Sequence, residues 1–399
     1  MKVMAVNAGS SSLKYKVFEM PSEQVVCSGI VDRIGHEDGL FRIKFNGQKH
    51  EETLPLKDHA QGAQLILDAL QKYGIVKDLN DIKCVGHRIV QGGKYFSKSA
   101  YFTPDTEAKI TKLIPLDPLH APAHLVGFHA FKKALPNAKA IAVFDTAFHQ
   151  TMEPEDYLFP IPYEWSEKYD CRRYGAHGTS HNYLAIKGAA DFLKGKKDTR
   201  IISCHLGSGA SLCAIHNGKC VATSMGLTPL GGVMMGTRSG DLDPSVIDYL
   251  CDQTGESVDE MYSDLNKKSG LLGVSGVSND TRDILSAVEK GDKRATLAVK
   301  MWARRIADYI GSYFVRLGGA DLIIFSAGIG ENAPYYRTLV LNDVKEALHL
   351  DIDEKANESA MGSEALISTG KSAIKVAVIP TDEEVMIARD CYKALEGTL

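Results

Sequence analysis

Val3-Met4-Ala5-Val6-Asn7-Ala8-Gly9-Ser10-Ser11-Ser12-Leu13-Lys14-Tyr15-Lys16-Val17-Phe18 reads as an apolar strand, a turn of small residues and a second strand. The pattern returns at Ile201-Ile202-Ser203-Cys204-His205-Leu206-Gly207-Ser208-Gly209-Ala210-Ser211-Leu212-Cys213-Ala214-Ile215. Small residues let backbone N–H groups approach an anion closely, and concave arrangements of such groups hold phosphates. Two such hairpins in one chain predict a duplicated domain with phosphate caught between the halves. That in turn points to nucleotide chemistry.

The remaining pattern alternates strands and helices, which predicts an α/β architecture. A chain of 399 residues exceeds one ordinary core, so two domains are expected. A strand is expected at Ile141-Ala142-Val143-Phe144, ending at Asp145. A Pro- and Tyr-rich crossing between domains is expected from Gln150 to about Tyr174. Apolar residues at helical spacing, Val299, Trp302, Ile306, Tyr309, Tyr313 and Leu317, predict a helix over 297–317. A strand at Leu322-Ile323-Ile324-Phe325 should lead into a Gly-rich turn at Ala327-Gly328-Ile329-Gly330-Glu331-Asn332, and the last strand should be Val376-Ala377-Val378-Ile379. Thr381 and Glu384 have the spacing of a capping box for the final helix, and Asp243-Pro244 reads as another helix start.

Composition excludes several classes. A formal net charge of −4 argues against broad nucleic-acid binding and against a polybasic membrane surface. No apolar run approaches the roughly 20 residues that span a bilayer, and Met1 leads straight into a strand, so no secretory leader is expected. The eight cysteines are scattered without a Cys-x-x-Cys pair, which predicts buried thiols in the cytoplasm, and no Cys/His array is expected, hence no tight zinc site.

The residues that carry chemistry lie beside the Gly-rich turns. Gly9-Ser10-Ser11-Ser12-Leu13-Lys14 offers amides, hydroxyls and a cation to a phosphate, and Asn7 adds an amide suited to a metal's water shell or a phosphate oxygen. Arg88, in Gly86-His87-Arg88-Ile89-Val90-Gln91-Gly92-Gly93, and Arg238, in Met235-Gly236-Thr237-Arg238-Ser239-Gly240-Asp241-Leu242-Asp243-Pro244, are arginines in glycine-flanked stretches. A planar guanidinium fork suits phosphate oxygens, so the pair points to charge stabilisation in phosphoryl transfer. His177 follows Gly175 and Ala176, and His120 is expected in a proline-rich loop. Asp145 and Glu383, each after an apolar strand, are candidate magnesium-shell or orienting carboxylates; Glu383 also reads as a first-turn acid facing a helix dipole.

Taken together, these blocks resemble the acetokinase (acetate kinase) family of the acetate and sugar kinase, heat-shock chaperone and actin superfamily. The resemblance runs the length of the chain in order: N-A-G-S-S-S-L-K, G-H-R, F-D-T-A-F-H-Q, Y-G-x-H-G-T-S-H, H-L-G-x-G-A-S, M-G-T-R-S-G-D-L-D-P, G-I-G-E-N and P-T-D-E-E. It implies two ribonuclease-H-like (actin-like ATPase) domains, 1–148 plus 383–399 and 149–382, with an active-site cleft between them. The second domain would bind nucleotide and form a homodimer. The implied reaction is direct, in-line transfer of the ATP γ-phosphoryl group to a short carboxylate, with Mg²⁺ or Mn²⁺ held by Asn7 and Glu383. Ser10, Ser12 and Lys14 would line the phosphate side. Arg88 and Arg238 would bind the carboxylate and the equatorial oxygens, helped by His177; His120 would support the acyl site and Asp145 would orient Arg88 or the carboxylate.

By the same resemblance, His205, Leu206, Gly207, Ser208, Gly209, Asp280, Thr281, Arg282, Gly328, Ile329, Gly330, Glu331 and Asn332 would hold ATP or ADP. Val90, Leu119, Ala176 and Pro229 would line the acyl pocket. Three positions depart from the family pattern: Ala176 where Phe is usual, Ser208 where Asn is usual, and Gln91 where His is usual. A smaller residue at 176 widens the pocket, which keeps propionate and butyrate as alternatives to acetate. A chaperone- or actin-like ATPase is the alternative outside metabolism, and the two arginines with His177 and His120 argue against it.

Overall fold

The computed structural model describes residues 1–118 and 120–399. The chain forms two compact units, Met1–Ala147 with Asp382–Leu399, and Phe148–Thr381. In chain order the first contains β1 (Lys2–Ala8), β2 (Ser12–Glu19), β3 (Gln24–Asp32), β4 (Gly39–Phe45), β5 (Gln48–Leu54), α1 (His59–Lys72), β6 (Ile82–Ile89), β7 (Ala100–Tyr101), α2 (Pro104–Lys112), α3 (Ala121–Ala134) and β8 (Lys139–Phe144). The C-terminal helix, Glu383–Glu396, completes it.

Its sheet has the order β5-β4-β3-β2-β1-β6-β8-β7. β1, β6 and β8 run parallel, while β2 and β3 continue antiparallel from β1. Val3 to Val6 are all buried because parallel strands are covered on both faces. Successive residues of β6 show how. Gly86 faces the C-terminal helix, where a Cβ would stand 2.3 Å from Ile387 Cγ2. His87 faces the other way, into the rings of Phe102, Phe128 and Phe131. On that side α3 comes in against β1, where a Cβ on Gly127 would lie 2.5 Å from the Ala8 methyl.

The second unit contains α4 (Pro154–Tyr157), α5 (Tyr163–Tyr169), α6 (Gly178–Phe192), β9 (Arg200–Leu206), β10 (Ala210–His216), β11 (Lys219–Thr223), α7 (Ser245–Thr254), α8 (Val258–Lys267), α9 (Gly270–Ser275), α10 (Thr281–Glu289), α11 (Lys293–Leu317), β12 (Leu322–Ser326), α12 (Ala327–Asn332), α13 (Pro334–Val344), α14 (Glu354–Ser359), β13 (Ala365–Leu366) and β14 (Lys375–Val378). Its sheet order is β11-β10-β9-β12-β14-β13. The pairings β9–β10 and β10–β11 are antiparallel, and β9–β12 and β12–β14 are parallel. That repeats the directions of β3-β2-β1-β6-β8 strand for strand. The duplication read from the two hairpins is therefore a duplication of the whole ribonuclease-H-like sheet.

Five local expectations are corrected. Ala327–Asn332 is a short helix rather than a turn, because Glu331 Oε1 reaches back to accept the Ala327 N–H at 2.7 Å and satisfies its otherwise open first turn. The C-terminal helix is capped by Asp382, whose carboxylate accepts the Val385 N–H at 3.1 Å. Thr381 shares a hydrogen bond with Ser180 instead, and Glu384 pairs with Lys16, so no Thr381–Glu384 box forms. His120 stands at the start of α3 rather than in a loop. α7 begins at Ser245, one residue after Pro244, with the Asp243 carboxylate accepting the Ser245 N–H. The long helix α11 starts earlier than its apolar stripe, capped by Asp292. Residues 150–174 carry α4 and α5.

Two glycines make opposite predictions. Gly86→Ala should lower stability to urea by about 1–3 kcal/mol through overpacking against Ile387 and Cys391. Gly311, inside α11 with open space where a Cβ would go, should give a protein about 0.5–1 kcal/mol more stable when replaced by Ala. Equal urea midpoints for the two variants would contradict the packing described.

Burial also sets an acid sensitivity. It pushes His87 and His124 down to about 3 and His181 well below its usual range. The unfolded chain takes up these protons near pH 6.5 and the folded chain does not, so the stability is complete above pH 6.5 and is lost as pH falls towards 3. Each histidine costs at most about 1.4 kcal/mol per pH unit in that window. The urea midpoint should fall between pH 7 and pH 5; a flat profile would refute the buried neutral rings.

Candidate active site

In the first unit the sequence-predicted residues collect where the parallel strands end. Asn7 lies near the end of β1 with Lys14 opposite it on β2. Arg88 is the penultimate residue of β6, and Asp145 follows β8. The C-terminal ends of parallel strands are where α/β folds place ligands, because the loops there diverge around an open crevice. The hairpin turn between β1 and β2 is pinned from below, Gly9 N–H to Ser12 O at 2.8 Å and the His59 ring to Gly9 O at 2.8 Å. Ser10 is exposed and Ser12 half-buried.

Arg88 grips Asp145 through two nitrogens, Nη2 to Oδ2 at 2.6 Å and Nε to Oδ2 at 3.1 Å. The carboxylate is wholly buried and the guanidinium side chain one-fifth exposed, so the fork is oriented from behind. Burial works against the Arg88 cation, and the charges of Asp145 and Glu383 outweigh it, so its pKa is raised. Glu383, the first residue of the C-terminal helix, is pushed up to about 7 by burial, opposed by Arg88 and reinforced by Asp145. Its Oε1 is buried without a hydrogen-bond partner. A dry carboxylate oxygen with nothing to accept from, on the same unit as the Asn7 amide, fits a hard divalent cation that keeps most of its own waters.

His120 Nδ1 lies 2.7 Å from Asp117 Oδ1. One helical turn on is a residue that sequence reasoning missed. His124 Nδ1 donates to Ala8 O at 3.0 Å, and its Nε2 accepts the Val90 N–H at 3.3 Å. A single neutral imidazole thus ties the end of β1 to the segment after β6, and its His-x-x-x-His spacing from His120 was the available signal. Val90 is buried. Gln91 is buried too and turns its amide oxygen to the Gly93 N–H at 2.8 Å, closing the local turn. Leu119 lies outside the described residues.

The second unit assembles a serine–histidine network. His177 has a left-handed backbone, φ 57°, at the start of α6. Its Nδ1 lies 2.8 Å from Ser211 Oγ, and its ring stacks on His205 at 4.1 Å. His205 Nδ1 meets Ser180 Oγ at 2.8 Å, and Ser180 meets Thr381. His181 bridges Ser203 and Ser211 at 2.6 and 2.8 Å. Ser180, His181, Ser203 and Ser211 were not expected to matter; they fix the ring planes of His177 and His205. Gly209 leaves room for both partners, since a Cβ there would stand 3.3 Å from Arg238 Nη1 and 3.7 Å from the His177 ring.

Arg238 donates to Pro229 O at 3.2 Å, and Gly236 N–H donates to Ser208 O at 3.0 Å, joining the loop after β9 to the arginine loop. Gly270, φ +62°, packs 2.2 Å (as a Cβ) from Met235 O and lets Leu271 and Leu272 donate into that loop. Ala176 is buried, with its carbonyl taking the His149 Nε2–H at 2.9 Å. Asp280 caps α10 and pairs with the exposed Arg282 at 2.6 Å, while the Thr281 carbonyl accepts from Tyr336. Within Gly328, Ile329, Gly330, Glu331 and Asn332, Glu331 is committed to the backbone N–H groups of Ala327 and Thr381, and Gly330 O accepts from the buried Arg337. The strand-end logic of the first unit is repeated in part: the loops after β9, β12 and β14 carry residues 207–209, 327–332 and Thr381, while Arg238 follows β11 and Asp280 stands between α9 and α10.

Comparison with known proteins agrees with this picture. The profile of the acetokinase family matches residues 2–389. Acetate kinase of Bacillus subtilis (strain 168) is 52% identical over 392 residues, 98% of this chain and 99% of the relative. Acetate kinase of Macrococcus caseolyticus is 50% identical over 389 residues, 98% of both chains. The crystal structure of Porphyromonas gingivalis acetate kinase superposes with a TM-score of 0.92 at 44% identity, covering 99% of each chain. That of a propionate kinase from Francisella tularensis gives 0.92 at 38% identity over 98% of each. With both hairpins, both arginines and both sheets accounted for along its length, the chain belongs to the acetokinase family.

Proposed function

We propose that this protein transfers the γ-phosphoryl group of ATP reversibly to acetate, giving acetyl phosphate and ADP. The observation that carries this is the Arg88–Asp145 pair with Glu383 beside it: a fixed cation aimed by a buried carboxylate. A carboxylate is already a nucleophile at pH 7 and needs no strong base, so its phosphorylation calls for positioning and charge neutralisation. Relatives about half identical over nearly the full chain are named acetate kinase, whereas the propionate kinase structure stands at 38% identity. That favours acetate despite Ala176.

In this reading Arg88 and Arg238 bind the acceptor carboxylate and the equatorial oxygens of the transferring group, with His177 as a further donor. Asp145 orients Arg88, and His120 supports the acyl site with Val90, Leu119, Ala176 and Pro229. Lys14, Ser10 and Ser12 neutralise and position phosphate oxygens. The 205–209, 280–282 and 328–332 segments hold the nucleotide. Asn7 and Glu383 would hold Mg²⁺ or Mn²⁺, which when bound supplies charge neutralisation at the phosphate oxygens. A homodimer through the second unit belongs to the same reading, supported by exposed Tyr163, Trp165, Tyr169 and Tyr249. No helix among the described residues is long and apolar enough to cross a membrane.

Hydroxylamine trapping of acyl phosphate from MgATP with acetate, propionate and butyrate tests the activity. The highest kcat/KM is expected with acetate, and no product from any acid would overturn the proposal. Arg238→Ala should lower kcat about 10²–10³-fold with little change in the KM for ATP, as for loss of a transition-state donor. Equal mild changes in both constants would remove Arg238 from that role. Because burial raises Glu383 to about 7, protonation below that pH should weaken the metal site. The magnesium concentration for half-maximal turnover should therefore rise from pH 8 to pH 6 in the wild type and stay level in Glu383→Gln.

A further inference from the structure

A second cluster of ligating side chains lies within the Phe148–Thr381 unit, among residues given no role above and one hydrogen bond from Ala176. His149, Cys213 and Cys220 are 0%, 0% and 1% exposed, and one ligand atom from each lies within 4.8 Å of the others. Cys213 Sγ is 3.4 Å from Cys220 Sγ, and His149 Nδ1 is 3.2 Å from Cys220 Sγ. The absence of a Cys-x-x-Cys pair predicted no such array; the fold makes one by placing β10 and β11 side by side and laying the 147–151 turn across them. His149 belongs to the F-D-T-A-F-H-Q block, which the proposed reaction uses only through Asp145.

The histidine is already set as a ligand. Its Nε2–H is spent on the Ala176 carbonyl at 2.9 Å, so the Nδ1 lone pair faces the sulfurs. A ring nitrogen held this way by a backbone carbonyl is the usual outer support of a metal-bound imidazole. Cys220 is anchored from its own backbone, where its carbonyl accepts from Thr151 Oγ1 at 2.7 Å.

We propose that His149, Cys213 and Cys220 form a three-coordinate site for a soft monovalent metal ion, with cuprous ion as its occupant. Two sulfurs and one imidazole select soft ions over magnesium or calcium. Zinc favours four ligands, and the described cluster supplies three in a place closed to water. Ligating cysteines bind as thiolates, so one cuprous ion displaces the thiol protons of both Cys213 and Cys220 and leaves the buried cluster with one net negative charge. Metal–sulfur bonds of about 2.3 Å at trigonal angles set two sulfurs roughly 4 Å apart, so the present 3.4 Å must open by about 0.6 Å. Entry is by way of β11, which is the edge strand of its sheet.

The test is anaerobic titration of the reduced full-length protein with cuprous ion against the chelator bathocuproine disulfonate. One ion per chain should be withheld from the chelator, with the protons of both thiols released. Cys213→Ser combined with Cys220→Ser should weaken retention by more than about 100-fold, beyond the cost of losing an outer partner. Cys84→Ser, which breaks the other close thiol pair with Cys391, should leave it unchanged. X-ray absorption of the loaded wild type, which needs no variant to fold, should show two sulfur and one nitrogen neighbours. The proposal is overturned if the wild type surrenders all its copper, if the double variant holds it equally, or if sulfur alone surrounds the ion. It is likewise overturned if peptide mapping finds a Cys213–Cys220 disulfide while the reduced protein binds no copper.

Discussion

The constraint on which the first unit depends is the burial of a carboxylate at the end of a parallel strand. Asp145 has no exposure to solvent, and Arg88 reaches it from the neighbouring strand with two nitrogens. Removing one member of such a pair costs about 3–5 kcal/mol, because the other is left charged in a poor solvent. The pair therefore fixes the register of β6 against β8 at the C-terminal end of the parallel strands. It also explains Glu383: a third charged group brought into the same region by the C-terminal helix, balanced between one cation and one anion. The geometry proposed for the site and the stability of the unit rest here on the same three side chains.

The second unit solves the same problem with neutral groups. His177, His181 and His205 are linked through Ser180, Ser203 and Ser211, each hydroxyl free to rotate until donor meets acceptor. Such a network holds imidazole planes without placing charge in the core. The left-handed backbone at His177 is sustained by these contacts on both of its sides. Two copies of one sheet have thus been furnished differently, one with an ion pair and one with a hydroxyl–imidazole web.

What the sequence revealed, and what it hid, follows from range. The hairpins 3–18 and 201–215 were legible because strand pattern and small-residue turns are local, and they carried the duplicated fold with them. Arg88, Arg238 and His177 stood out because glycines flank them. Pairings over long separations were not legible from local pattern: nothing near Asp145 announces a partner 57 residues earlier, and the expectation that it orients Arg88 came only from the family resemblance. His124 and Ser211 escaped notice for the same reason, each acting on a segment far away in the chain. The cap at Asp382 was misplaced by one residue because Thr and Asp are both good caps and only the chain's exit from β14 chooses between them. The tie of the Glu331 carboxylate to the backbone of its own helix was not legible either.

The first unit is discontinuous in the chain, and Gly86 is where its last piece lands. During synthesis the sheet from β1 to β8 leaves the ribosome long before Ile387 and Cys391, which must settle on that glycine. At about 5–20 residues per second, the 148–381 segment occupies roughly 10–50 s. Throughout that interval one face of β1 and β6 lies bare, and Glu383 is still unmade. The unit encoded in one stretch, Phe148–Thr381, is available to fold first. The half of the protein that begins the chain is the half that is finished last.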